Sequence, residues 1–266
     1  MKLLLFIILG IIFAESAGAK VKIAVDHPFL RTSLEDLFPG EFEILHAYSS
    51  ANMHLDIGLR PSQMKNLHNS DYFFTLHDQR NLGRILPQNV VFFNPAECAR
   101  LSDKHCEKDK HFWLSQGAVL QIYQNITAFV REHNLSGNFR NSSKIISEIN
   151  SLNIAEMLAK CGKNIYTEHA FHARLGDYTN FIAGNIFDNH GNLIPSQLDN
   201  LLVKSGILLV ESGIESGLKK KLQNSGVKVY QFDADGAGFS HNKAETPECK
   251  SQYCLYIQKN FSFCGK

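Results

Sequence analysis

The sequence predicts an α/β protein of two lobes, each with a parallel β-sheet flanked by helices, joined by one long rigid linker helix. Three observations lead there. Short apolar runs of strand length alternate with helical segments from Lys20 onward. After Trp113 the pattern turns helical, and the alternation restarts at Asn164. Ligand-type side chains recur just past the expected strand ends, where open α/β sheets place their binding sites. A single continuous α/β domain is the alternative that length alone allows.

The elements follow in order. Residues 1–19 read as a secretory signal peptide: Lys2 is the positive start and Leu3 to Phe13 an apolar run too short to span a bilayer comfortably. Ala17-Gly18-Ala19 then supplies small residues for cleavage after Ala19. KVKIAV (Lys20 to Val25) alternates as a first strand, with Asp26-His27-Pro28 as its exit loop. Arg31 to Leu37 is helical, with Thr32 or Ser33 as its cap. Phe42 to His46 is a second strand, and Ser62 caps a helix through Met64 and Leu67. The aromatic runs Asp71 to Leu76 and Asn89 to Phe93 are buried strands. These elements make a first lobe over residues 20–136.

DKHFWLSQG (Asp109 to Gly117) holds the only Trp of the chain, Trp113, two residues after His111. A charged, Lys-rich run ends there. Val119, Ile122, Ile126, Phe129 and Val130 then recur at helical spacing through Gly117 to His133. His111 thus stands where an exposed loop enters a helix, with bulky aromatics to hold its ring, a placement that suits a metal ligand. Residues 137–160 read as the linker helix, ended by Cys161-Gly162. The second lobe, residues 161–266, repeats the α/β pattern. Its strands are Asn164 to Thr167, Phe181 to Ile186, Ile207 to Glu211 and Lys228 to Phe232. Its helices are Ala170 to Leu175, one from Pro195, Gly217 to Asn224, and about Gln252 to Lys259.

Composition narrows the function classes. The net charge is +1 and the basic residues are scattered, so nucleic acid is not an expected partner. Six cysteines in an exported chain favour disulfides; Cys98 with Cys106, and the group Cys249, Cys254 and Cys264, suggest local bridges. No Cys-x-x-Cys occurs, so a structural zinc ribbon is not expected.

The remaining candidates form a constellation. His54 follows the second strand, His111 stands at its helix entrance, Glu168 and His169 follow NIYT, and Asp233 and Asp235 follow KVYQF. Two imidazoles and two carboxylates suit a divalent transition metal, because two negative charges offset the ion's own in a partly dry pocket. Two donors come from each lobe, so a cleft between lobes would unite them.

At these residues the chain resembles the ZnuA/TroA-like family, the zinc- and manganese-binding periplasmic substrate-binding proteins of ABC importers. Four motifs carry the resemblance: ANMHLDIGLRPSQMKNLHNSDYFF (Ala51 to Phe74), DKHFWLSQG, TEHAFHARLGDY (Thr167 to Tyr178) and VYQFDADGAG (Val229 to Gly238). They are similar to the family's first His segment, its DPHxWLDP, its strand-end SEGAF or SHDAF and its strand-end Asp. LLVESGIESGLKKKL (Leu208 to Leu222) fits the strand and helix between the last two. The resemblance implies His54, His111, Glu168 and Asp233 as ligands of one transported ion, Zn2+ or Mn2+. It also implies a monomeric periplasmic carrier, without enzymatic activity, that delivers the ion to a membrane permease and its ATPase. Met53 and Lys110 stand where the family has Pro before each His, and the His-rich loop of its zinc members is absent; SDKHCEKDK, with His105 and Cys106, is a small substitute. His169 in place of Glu168, or Asp235 in place of Asp233, would alter the donor set. An exported metallohydrolase, with Asp235 or Glu211 as base, and a carrier of a metal chelate are the alternatives; no His-Glu-x-x-His or Gly-x-Ser-x-Gly motif supports the first.

Overall fold

Residues Lys22–Val25 form the first strand, β1, and their side chains alternate between two apolar layers. The computed structural model describes residues 19–47, 60–76, 87–98, 101, 111–162, 164–168, 182–188, 191–210, 214–233, 249–262 and 264. Residues 1–18 of the expected signal peptide, His54 and the helix expected over Ala170 to Leu175 lie outside them. Around β1 the strands β2 (Glu43–His46), β3 (Tyr72–Phe74) and β4 (Val91–Phe93) form a parallel sheet in the order β2-β1-β3-β4. In the second half, β5 (Ile165–Thr167), β6 (Ile182–Asn185), β7 (Ile207–Val210) and β8 (Lys228–Gln231) form a second parallel sheet, β6-β5-β7-β8. Each sheet places its second strand, then its first, third and fourth. The halves thus share a topology that their residues do not repeat. In each, the strand order reverses about the first strand, which makes its carboxyl end a place for ligands.

Helix α1 (Pro28–Leu37) starts earlier than expected. Pro28 occupies the first turn, where its missing N–H costs nothing, and Nδ1 of His27 accepts from Phe29 N at 3.1 Å as the cap. Thr32 and Ser33, the expected caps, are inside the helix, where Ser33 Oγ donates to Phe29 O. Ser62 is likewise not a cap: α2 (Pro61–His68) starts at Pro61, and Gln63 Oε1 accepts from Arg60 N at 2.6 Å. A 3-10 turn, Phe112–Leu114, leads to α3 (Gln116–Glu132), capped by Ser115 through Ala118 N.

The linker expected as one rod over 137–160 is two helices, α4 (Arg140–Ser151) and α5 (Ile154–Ala159). Leu152 is extended, with φ −63° and ψ 135°, and Asn153 caps α5 by accepting from Glu156 N. The break is satisfied from outside: Gln116 Nε2 donates to Ile149 O at 2.7 Å and to Leu152 O at 2.8 Å. This explains why the apolar positions of the segment follow no single helical stripe. Helices α6 (Pro195–Val203) and α7 (Ser216–Asn224) flank the second sheet.

The last helix, α8 (Gln252–Asn260), packs against α1 and α4, far from its neighbours in sequence. One core layer accordingly runs through both halves. It joins Val25, Phe29, Phe74, Trp113 and Tyr123 to Ile149, Leu158, Tyr253 and Ile257, and then to Ile165, Leu209 and Phe232. Its large side chains each contribute roughly 1.5–3 kcal/mol by burial. Phe129 lies between Phe93 (4.1 Å, 25°) and the ring of His133 (4.0 Å, 23°). Two smaller layers cover the opposite faces of the sheets.

Two disulfides fasten α8. Cys249–Cys254 bridges its first turn, a local pairing of the expected kind. Cys264 instead pairs with Cys161 across 103 residues, beside the end of α5. Cys98 is also disulfide-bonded. Closing so long a loop restricts the unfolded chain, so Cys161→Ser with Cys264→Ser is expected to cost about 2–4 kcal/mol. Denaturant unfolding would measure it; a change below about 1 kcal/mol would contradict the estimate.

Candidate metal site

His111 is held by rings. Trp113, two residues on, presents its indole edge-on to the imidazole at 5.8 Å and 75°. Trp113 is itself stacked on His27 at 4.4 Å and 22°. His27 is only 3 % exposed and is itself fixed by its bond from Phe29 N. The order His27, Trp113, His111 therefore transmits the position of β1 and α1 to a half-buried imidazole. The carbonyl of His111 accepts from Leu114 N at 3.0 Å, so the backbone that carries the ring is part of the 3-10 turn.

Glu168 follows β5, the first strand of the second sheet and the point where its order reverses. Its N–H donates to Leu209 O at 2.9 Å and its carbonyl accepts from Phe187 N at 3.1 Å. Its backbone is thereby tied to segments on both sides of β5. The counterpart in the first sheet is Asp26, whose N–H donates to Phe74 O and whose carboxylate accepts from Thr75 Oγ1 and Leu76 N. That carboxylate joins the ends of β1 and β3.

Asp233 stands two residues beyond β8. Phe232, between them, is fully buried and donates its N–H to Val210 O at 2.7 Å. The N–H of Asp233 donates to Asn260 Oδ1 at 2.9 Å, and its carbonyl accepts from the hydroxyl of Tyr256. Glu168 and Asp233 are both half-buried.

His54, His169, Asp235, His105 and Cys106 lie outside the described residues. Among the described residues no three His, Cys, Asp or Glu side chains come close enough together to hold a metal ion. Of the four candidate ligands, the described three are an imidazole at the lead-in to α3 and two carboxylates beyond carboxyl ends of the second sheet. This donor set suits a borderline or hard divalent cation. In the sequence His27 falls in the exit loop of the first strand, and no motif assigns a role to Tyr256 or Asn260. The dipeptide His27-Pro28 at a strand end was a usable signal, since Pro marks a first helical turn. Nothing local marks Asn260.

A second polar cluster joins α8 to the first lobe. Asp36 of α1 accepts from Gln252 N at 3.0 Å and from the Tyr123 hydroxyl at 3.1 Å. Glu148 of α4 accepts from Lys250 N, Ser251 N and Ser251 Oγ at 2.9, 2.9 and 2.6 Å. Burial pushes the Asp36 carboxyl up to about 7, against the lowering effect of its hydrogen bonds, and Glu148 adds to the rise. Burial and the nearby Asp36 also push the Tyr123 hydroxyl well up.

Neither protein-family models nor curated protein sequences give a match. Solved structures do. ZnuA is similar with a TM-score of 0.69 at 16% identity, covering 91% of this chain and 98% of that one. A zinc-bound variant of AdcAII from Streptococcus pneumoniae gives 0.68 at 16%, covering 93% and 98%. The substrate-binding protein FpvC from Pseudomonas aeruginosa, in complex with Mn2+, gives 0.64 at 14%, covering 91% and 96%. At these identities the likeness is one of fold. The chain therefore has the fold shared by these proteins, two of them solved with a bound transition metal.

Proposed function

We propose that this chain is a member of the ZnuA/TroA-like family: an extracytoplasmic solute-binding protein that captures one zinc or manganese ion between its lobes. In this reading His54, His111, Glu168 and Asp233 hold the ion. The protein carries out no chemistry on it and passes it, as a monomer in the periplasm, to an ABC-type permease driven by its ATPase. No helix among the described residues is long and apolar enough to cross a membrane.

The observation that carries the reading is the placement of Glu168. It stands at the reversal point of a parallel sheet, in a fold shared with zinc-bound and manganese-bound proteins. His111 and Asp233 add an imidazole and a second carboxylate from other strand and helix ends. Two carboxylates balance the charge of a divalent ion, and bidentate carboxylates would also serve manganese's higher coordination number.

Native mass spectrometry with elemental analysis tests this directly. The chain lacking residues 1–19 would be stripped with chelator and reloaded with zinc and manganese in equal amounts. One ion per chain is expected, reduced in Glu168→Ala and Asp233→Ala, with zinc outcompeting manganese as the general affinity order of divalent ions requires. No bound ion under any loading would overturn the carrier reading.

A further inference from the structure

Both peptide groups of Asp233 are held from one face of one helix. Its N–H donates to Asn260 Oδ1 at 2.9 Å, and its carbonyl accepts from the Tyr256 hydroxyl. Tyr256 and Asn260 are four residues apart in α8, so they lie one turn apart on the same face. They are only 4 % and 7 % exposed. A buried amide and a buried phenol each need a partner, and here both find it at one residue. Phe261, next in the chain, meets Phe232 at 5.5 Å, so the residue before Asp233 is packed on the same helix.

The structure assigns Asn260 and Tyr256 as positioning residues for Asp233, setting the direction in which its carboxylate leaves the backbone. The assignment rests on the reading of Asp233 as a ligand. Fixing an N–H and a C=O on either side of one Cα orients that atom's bond to Cβ. A carboxylate on a short side chain then has little freedom left, which is how partners beyond the ligands tune a metal site.

The helix that does this is anchored in the other half of the molecule. Its amino end is held by Glu148 of α4 and Asp36 of α1, and Ser251 caps it by accepting from Cys254 N. Helix α1 carries Phe29, which packs on Trp113 at 6.0 Å, and Trp113 contacts His111. Asp233, in the second sheet's half, is thus placed relative to the frame that holds His111 in the first.

The test uses Co2+ as a spectroscopic probe on the full chain, with Kd from titration and visible absorption as the readout of geometry. Tyr256→Phe removes one hydroxyl and keeps the ring; Asn260→Ala removes the acceptor. Each is expected to weaken Co2+ binding about 10- to 100-fold and to change the absorption bands. In an Asp233→Ala background neither should weaken binding further, because they act through that residue. Phe93→Leu, which thins the first sheet's layer beside Phe129, controls for loss of stability and should leave the bands unchanged. If Asp233→Ala weakens binding while Tyr256→Phe and Asn260→Ala behave as wild type, or add their full effects to it, the positioning assignment is overturned and the ligand reading stands. If Asp233→Ala itself leaves Kd unchanged, the ligand reading fails and takes the assignment with it.

Discussion

His111→Ala is expected to weaken zinc binding by about 100- to 1000-fold, measured by titration against a competing chelator. Zinc held by four protein ligands gains about 10–16 kcal/mol, so one ligand accounts for roughly 3–4 kcal/mol. The variant is well suited to the purpose because the ring has its own support. The stack of His27 on Trp113 does not depend on the imidazole of residue 111, which meets Trp113 only edge-on. The stability of the metal-free protein should therefore change by less than about 1 kcal/mol, and lost affinity would report lost coordination. An unchanged Kd would remove His111 from the site. Lost affinity together with a collapse of apo stability would mean that its role is packing.

The second large effect concerns pH and Asp36. The carboxyl is raised from its ordinary 3.8 to about 7, chiefly by burial between α1, α3 and the start of α8. In the unfolded chain it ionises near pH 4; in the folded chain it stays protonated to about pH 7. Folding therefore takes up a proton between these values. The group's contribution to stability is complete below pH 4 and is lost as pH rises through 7. A shift of this size corresponds to at most about 4 kcal/mol. The groups that bear on it are Glu148 from α4, Tyr123 from α3, and the backbone N–H groups of Gln252 and Tyr253 from α8. Asp36→Asn cannot titrate. The difference in unfolding free energy between wild type and Asp36→Asn should thus move by several kcal/mol from pH 4 to pH 8, with wild type losing ground as pH rises. A difference that stays constant with pH would show that Asp36 ionises in the folded protein as it does in water.

These two cases divide what can be read locally from what cannot. The setting of His111 was legible because its signal is local: one Trp, a charged run ending, and an apolar helical period beginning within a few residues. The eight described strands were legible for the same reason, since β-branched and aromatic runs such as Tyr72–Phe74 and Ile207–Val210 declare buried strands. So was the general place of α8. Asp36 carried no such mark. Its partner Gln252 is 216 residues away, and Glu148 meets Ser251 across 103.

The sequence by itself determined the α/β class, the order of the described strands and helices along the chain, and the residue types available to bind an ion. Those follow from periodicity and composition, which depend on neighbours in the chain. Tertiary structure decided the strand order within each sheet, the break at Leu152-Asn153 and the bridge from Cys161 to Cys264. It also decided the seating of α8, which joins Asp233 to the frame around His111. Each of these depends on which distant groups satisfy a backbone or fill a layer. Gln116 closes the broken linker, and Asn260 and Tyr256 hold Asp233, because packing brings them there; no short-range pattern records it.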